Sequence, residues 1–133
     1  MNKDILEKIR SFSTYKKGWK FGRGEGISDK VINIAIEIVN LAMPKKFTID
    51  AFPGVNGDIV VVVYGDAVDV SFEVQDDLSI IISTETGSDV LIDNETRINI
   101  IQIKWLLEKL RVDFSFEELE DCYNEFIGNN REE

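Results

Sequence analysis

The stretch GDIVVVVYGDAVDVSFEV, residues 57–74, decides the fold. Its second half alternates apolar and polar residues, which is typical of a β-strand with one buried side. The apolar side comprises Val68, Val70, Phe72 and Val74, and the polar side comprises Asp69, Ser71 and Glu73. A two-residue turn at Gly65 and Asp66 would place Val63 opposite Val68. The stretch therefore predicts two antiparallel strands joined by a hairpin.

Short apolar segments on both sides of this hairpin extend the sheet. FTIDAF (47–52) and LSIIIST (78–84) are rich in Ile, Phe and Thr, and the turn signals PGVNG and QDD separate them from the hairpin. SDVLID (88–93) is a candidate fifth strand. Consecutive strands with short turns predict an antiparallel meander.

Helical periodicity flanks the strands. The predicted helices cover residues 4–12, 29–43, 94–111 and 115–127. Ser28 is the expected N-cap of the second helix, with Ile27 and Ile32 as its hydrophobic staple. Ser115 and Glu118 form an S-x-x-E capping box before the last helix, and Phe114 and Leu119 supply its staple.

These elements predict an α+β fold: a four- to five-stranded antiparallel meander sheet packed against helices, in the order α-α-β-β-β-β-α-α. A chain of 133 residues is the size of one domain. We expect a single domain over residues 1–133, in which 1–27 hold a helix and a basic segment, 28–127 hold the core, and 128–133 form a frayed tail.

Composition limits the compartment. No stretch approaches the roughly 20 apolar residues of a membrane helix, and the N-terminus lacks a signal-peptide core. Cys122 is the only cysteine, so no internal disulfide can form. We therefore expect a cytoplasmic protein without a membrane partner.

The charge of the chain is divided between its ends. The formal net charge is -10, yet residues 1–24 hold seven Lys or Arg against two acidic residues. The remaining residues therefore carry about -15, which repels nucleic-acid phosphates and attracts basic surfaces. An acidic body of this kind favours a basic protein partner.

Several enzyme classes are excluded or disfavoured. The chain has no histidine, so neither a His-containing triad nor a His-ligated metal site is possible. Cys122 lies beside Asp121 and near Glu125, and anionic neighbours suppress a reactive thiolate. Asp69 and Glu73 share a strand side but lie about 13 Å apart, too far to act on one bond. We expect no catalytic residues, no metal and no cofactor; a carboxylate-dependent hydrolase using a divalent metal ranks last.

The leading functional hypothesis is a non-enzymatic interaction module of the antitoxin, immunity-protein or inhibitor type that binds a basic partner surface. Its candidate partner-binding residues are Glu117, Glu118, Asp121 and Glu125, which lie on the last predicted helix. The acidic residues of a helix are more often a solvated face than a docking surface. Val60 and Val62 would lie on the Asp69 side of the sheet, so self-association to a homo-oligomer is a further possibility.

The alternative is a nucleic-acid or nucleotide binder that uses the basic segment. Its candidate residues are Lys16, Lys17, Trp19, Lys20, Phe21 and Arg23, which interleave cations with aromatic rings. Gly22, Gly24 and Gly26 read G-x-G-x-G with no strand before them, so neither a dinucleotide fingerprint nor a Walker A motif is present. The structural interpretation, in which Trp19 and Phe21 pack against the core, is favoured.

Two of these motifs also carry a resemblance. GWKFGRGEGISDKVINIAIEIVNLA (18–42) and IDAFPGVNGDIVVVVYGDAVDVSFEV (49–74) resemble a group of small uncharacterised bacterial proteins. The shared pattern positions are Gly18, Trp19, Phe21, Gly22, Gly24, Phe52, Pro53, Gly54 and Gly57. That group has no established activity, so the resemblance implies a helix-plus-sheet domain and no particular chemistry.

Overall fold

The computed structural model describes residues 2–15, 18–19, 24–85 and 96–130. Its helices are α1 (Asn2–Ser11), α2 (Asp29–Ala42), α3 (Ile100–Lys109) and α4 (Phe116–Asn130). Its strands are β1 (Thr48–Pro53), β2 (Ile59–Tyr64), β3 (Asp69–Val74), β4 (Ile80–Glu85) and β5 (Thr96–Ile98). The strands form one antiparallel sheet in the order β1-β2-β3-β4-β5. The predicted α+β meander is confirmed.

The sheet has one buried side and one accessible side. On the buried side, strand residues such as Val61, Val63 and Phe72 have no exposed surface, and α2 packs over β2 and β3. We call the other side the open face. The open face comprises Asp50 and Phe52 of β1, Val60, Val62 and Tyr64 of β2, Asp69, Ser71 and Glu73 of β3, Ile81 and Ser83 of β4, and Arg97 of β5.

The β2–β3 register differs from the prediction by two residues. Val63 pairs with Val70, and the turn spans Gly65 to Val68. The wider turn lets the Asp66 N–H donate to the carbonyl oxygen of Phe114 at 2.8 Å. The longer turn is therefore held by a residue that is distant in sequence, Phe114. Because the shift is even, each residue keeps its predicted side of the sheet.

The predicted start of α2 is confirmed. The Ser28 hydroxyl accepts the N–H of Val31, and Ile27 and Ile32 are both buried. Helix α2 ends at Ala42, and one turn of 3₁₀ helix follows.

The predicted helix 94–111 begins too early. Residues 96–98 form β5, in which Ile98 pairs with Ile80 and is buried. Helix α3 begins only after Asn99, whose side chain accepts the N–H of Gln102 while the Gln102 side chain accepts the N–H of Asn99. This capping box fixes the boundary. The candidate strand at 88–93 lies outside the described residues.

The last helix follows its predicted start. The Ser115 hydroxyl accepts the N–H of Glu118, and Phe114 and Leu119 are fully buried. Helix α4 continues past Gly128 to Asn130, beyond its predicted end, and residues 131–133 lie outside the described part. Among the described helices, none is long and apolar enough to cross a membrane.

Candidate functional site

Trp19 of the glycine-aromatic segment has a structural role. Its indole Nε1–H donates to the carbonyl oxygen of Glu25 at 2.9 Å, and its ring lies 4.7 Å from the ring of Tyr15. A Cβ atom at Gly24 would lie 2.6 Å from Trp19 Nε1, so only glycine allows this packing. Beside the indole, the Gly18 N–H donates to the Gly24 carbonyl oxygen at 2.7 Å.

The other residues of the nucleic-acid hypothesis fall outside the described part of the chain: Lys16, Lys17, Lys20, Phe21 and Arg23. The nucleic-acid hypothesis therefore stays a prediction. At the start of α2, the Ser28 hydroxyl already accepts the N–H of Val31. The exposed side chain of Asp29 adds a negative charge at the same helix end, which disfavours binding of an anion there.

The AFPGVNGD turn between β1 and β2 folds around a buried carboxyl group. Asp58 is only 8% exposed, and its Oδ1 atom accepts the N–H of Asn56 at 3.3 Å. The Gly54 N–H donates to the Asp58 carbonyl oxygen at 2.8 Å. A Cβ atom at Gly54 would lie 2.2 Å from Asp58 Oδ1, so glycine is required for this packing.

The two glycine-containing patterns meet in the structure. The Glu25 N–H donates to the Val55 carbonyl oxygen at 2.8 Å. Gly57 has a left-handed φ of 81°, and a Cβ atom there would lie 3.2 Å from the carbonyl oxygen of Gly26. The described pattern glycines therefore have structural explanations.

Asp58 also contacts Glu73, which makes a carboxyl pair that the sequence analysis missed. Burial and a hydrogen bond with the Asp58 carboxyl group raise the pKa of Glu73. The pair borders a hollow of about 270 Å³ lined by Asn56, Asp58, Glu73, Gln75, Asp76 and Asp77. Within the described residues, no group of three or more Asp, Glu, Cys or His could hold a metal ion.

The predicted partner-binding residues of α4 divide into two sets. Glu117, Asp121 and Glu125 are exposed and recur every four residues, so they lie along one side of the helix. Glu118 is partly buried, and its carboxylate accepts the N–H of Arg111 at 2.8 Å. Glu118 thus ties α4 to the preceding loop, whereas the other three form what we call the acidic stripe.

Cys122 lies beside the acidic stripe and is partly buried. Burial raises the pKa of its thiol, and the negative charges of Glu118, Glu125 and Asp121 raise it further. The thiol therefore stays protonated at neutral pH, as its sequence neighbours predict.

Comparison with known proteins found no family model, curated protein or solved structure that matches the chain. The bacterial resemblance stays a prediction.

Proposed function

We propose that the protein is a non-enzymatic interaction module that binds a basic surface of a partner protein through the acidic stripe. The observation that carries this proposal is the exposure of Glu117, Asp121 and Glu125 at four-residue intervals on α4. Like charges at this spacing destabilise a helix. A basic partner would offset that repulsion.

The charge of the whole chain supports the same class of partner. A net charge of -10 produces a field that speeds the approach of a basic protein and is screened over about 10 Å at ordinary ionic strength. Binding should therefore weaken as salt rises. Antitoxins, immunity proteins and inhibitors are modules of this kind.

The first step of the test is to identify a partner. The tagged protein is used to capture binding proteins from a lysate of its native host at low and high salt, and mass spectrometry identifies them. A protein retained only at low salt is then purified for affinity measurements.

The second step localises the surface. A variant with Glu117→Gln, Asp121→Asn and Glu125→Gln is compared with a control carrying Glu7→Gln, Glu37→Gln and Glu108→Gln, three exposed carboxylates on other helices. Both variants lose the same charge. The stripe variant should bind the partner about tenfold more weakly, since each exposed ion pair contributes about 0.2–1 kcal/mol. Equal weakening by both variants would show that the stripe is not the docking surface.

A further inference from the structure

The β1–β2 turn contains a residue pair whose chemistry the proposed function does not use. Asn56 precedes Gly57, and it is the only asparagine in the chain that is followed by glycine. The side-chain amide carbon of an asparagine lies within reach of the main-chain nitrogen of the next residue. Because glycine has no Cβ atom to obstruct the approach, an Asn-Gly pair favours attack of that nitrogen on the amide carbon.

The structure leaves both reacting groups of this pair without hydrogen bonds. Asn56 is exposed, and its one hydrogen bond to another described residue is made by its main-chain N–H, which donates to Asp58 Oδ1 at 3.3 Å. Within the described part of the chain, the Gly57 N–H donates to no acceptor. Gly57 is buried, but the reaction joins adjacent residues and needs no path from solvent to its nitrogen.

Two exposed asparagines of α2 provide an internal comparison. Asn33 is followed by Ile34, and Asn40 is followed by Leu41. In the interior of a helix the N–H of each of these following residues donates to a main-chain carbonyl oxygen. Attack at Asn33 or Asn40 would therefore have to break a helical hydrogen bond and pass a bulky side chain, whereas neither obstacle exists at Asn56.

We propose that Asn56 deamidates spontaneously and that its products loosen the β1–β2 turn. The Gly57 nitrogen attacks Cγ of Asn56 and gives up its proton, and the new N–Cγ bond closes a cyclic imide. The side-chain nitrogen takes up that proton and leaves as ammonia. Water then opens the imide: cleavage of the bond from nitrogen to Cγ gives aspartate, and cleavage of the bond from nitrogen to the main-chain carbonyl carbon gives isoaspartate.

Both products add a negative charge to a hollow that already contains carboxyl groups. Asn56 lines this hollow together with Asp58, Glu73, Asp76 and Asp77. Like charges placed close together disfavour one another's ionised forms. A carboxylate at position 56 therefore destabilises the folded turn relative to the unfolded chain.

Isoaspartate also changes the main chain, because it inserts its Cβ atom into the path of the backbone. The turn is held by a hydrogen bond from the Gly54 N–H to the Asp58 carbonyl oxygen and by another from the Glu25 N–H to the Val55 carbonyl oxygen, both 2.8 Å long. The Asp58 carboxyl group fills the space beside Gly54. A longer main chain strains both bonds, so isoaspartate loosens the turn more than aspartate does.

The first measurement follows the chemistry in the full chain. The protein is incubated at neutral pH and physiological temperature, and tandem mass spectrometry of its peptides measures the conversion of amide to acid at each asparagine and distinguishes isoaspartate from aspartate. Asn56 should convert at least about tenfold faster than Asn33 and Asn40. Conversion of Asn56 at the same rate as these two residues would overturn the proposal.

The second measurement tests the effect on the turn. Incubated wild type should unfold at a urea concentration roughly 0.3–1 M below that of fresh protein. Asn56→Gln, whose side chain must close a larger ring, should keep its urea midpoint through the same incubation. An unchanged midpoint in wild type that has converted at position 56 would show that the products do not loosen the turn.

A pair of variants isolates the effect of the charge. Asn56→Asp and Asn33→Asp add the same charge at exposed positions, but only the first lies in the carboxyl-lined hollow. Asn56→Asp should lower the urea midpoint more than Asn33→Asp and less than conversion to isoaspartate. Equal midpoints for the two variants would contradict repulsion within the hollow.

Discussion

The carboxyl group of Glu73 on β3 lies beside the buried carboxyl group of Asp58, which directly precedes β2. A hydrogen bond between two carboxyl groups requires a proton on one of them. Asp58 is 8% exposed and Glu73 has a raised pKa. The raised pKa of Glu73 therefore makes the contact between the β1–β2 turn and β3 depend on pH.

Replacing Glu73 with glutamine should remove this pH dependence. The folded-state pKa of Glu73 lies above its ordinary value of 4.5, so the folded state holds the proton more tightly than the unfolded state. The contribution of Glu73 to stability is therefore largest below pH 4.5 and falls as pH rises through the folded-state pKa. Glu73→Gln keeps a donor toward Asp58 at every pH.

The measurement is urea unfolding of wild type and Glu73→Gln between pH 4 and pH 8. As pH rises, the unfolding free energy of Glu73→Gln should increase relative to that of wild type. Glu117→Gln, an exposed carboxylate distant in sequence, serves as the control. A difference for Glu73→Gln that does not change with pH would contradict the raised pKa of Glu73.

Substituting Gly54 with alanine should destabilise the protein by about 1–3 kcal/mol. The added Cβ atom would lie 2.2–2.5 Å from the Asp58 carboxyl group, which is buried and cannot easily move. A double variant, Gly54→Ala with Asp58→Ala, removes the obstacle. Its loss of unfolding free energy should be smaller than the sum of the two single losses, and simple additivity would show that the two residues do not interact.

Glycine at position 78 should stabilise the β3–β4 turn. Leu78 has a left-handed φ of 73° and its N–H donates to the Gln75 carbonyl oxygen at 2.8 Å. The left-handed conformation costs a residue with a Cβ atom about 1–2 kcal/mol. Leu78→Gly and Leu78→Ala both delete the side chain, but only glycine relieves the backbone. The glycine variant should therefore have the higher unfolding free energy, by about 1 kcal/mol, and the reverse order would contradict this explanation.

Cys122 should react slowly with iodoacetamide at neutral pH. Burial and the carboxylates of Glu118, Glu125 and Asp121 raise the pKa of its thiol, so the thiolate is scarce. The rate should rise with pH, and Asp121→Asn combined with Glu125→Gln should shift the rate curve to lower pH. The check is the alkylation rate as a function of pH; an unchanged curve in the double variant would show that these charges do not act on the thiol.

The fold class could be predicted because a strand has a period of two residues. Alternation assigned Val70 and Phe72 to the buried side, and an error of two residues in the register left that assignment intact. The register itself could not be predicted from the hairpin alone, since the observed turn contacts Phe114. The short strand β5 was mistaken for the start of α3 because only its pairing with β4 distinguishes it.

The candidate site could be predicted less well. The exposed residues of the acidic stripe follow from helical spacing, but the contact of Glu118 with Arg111 depends on how the preceding loop folds back. Asp58 was missed because its burial results from packing against Gly54. The one available signal was the pair of glycines in AFPGVNGD. Glycines in a turn indicate that other groups approach the backbone closely, but they do not identify Asp58 as the group that does so.

The proposed docking of a basic partner on the acidic stripe is tested most directly by hydrogen–deuterium exchange of the full chain with and without the purified partner. The partner should slow exchange of the amides in α4 around Glu117 to Glu125, and the slowing should diminish at high salt. Slowed exchange elsewhere in the chain with α4 unchanged would contradict the proposal.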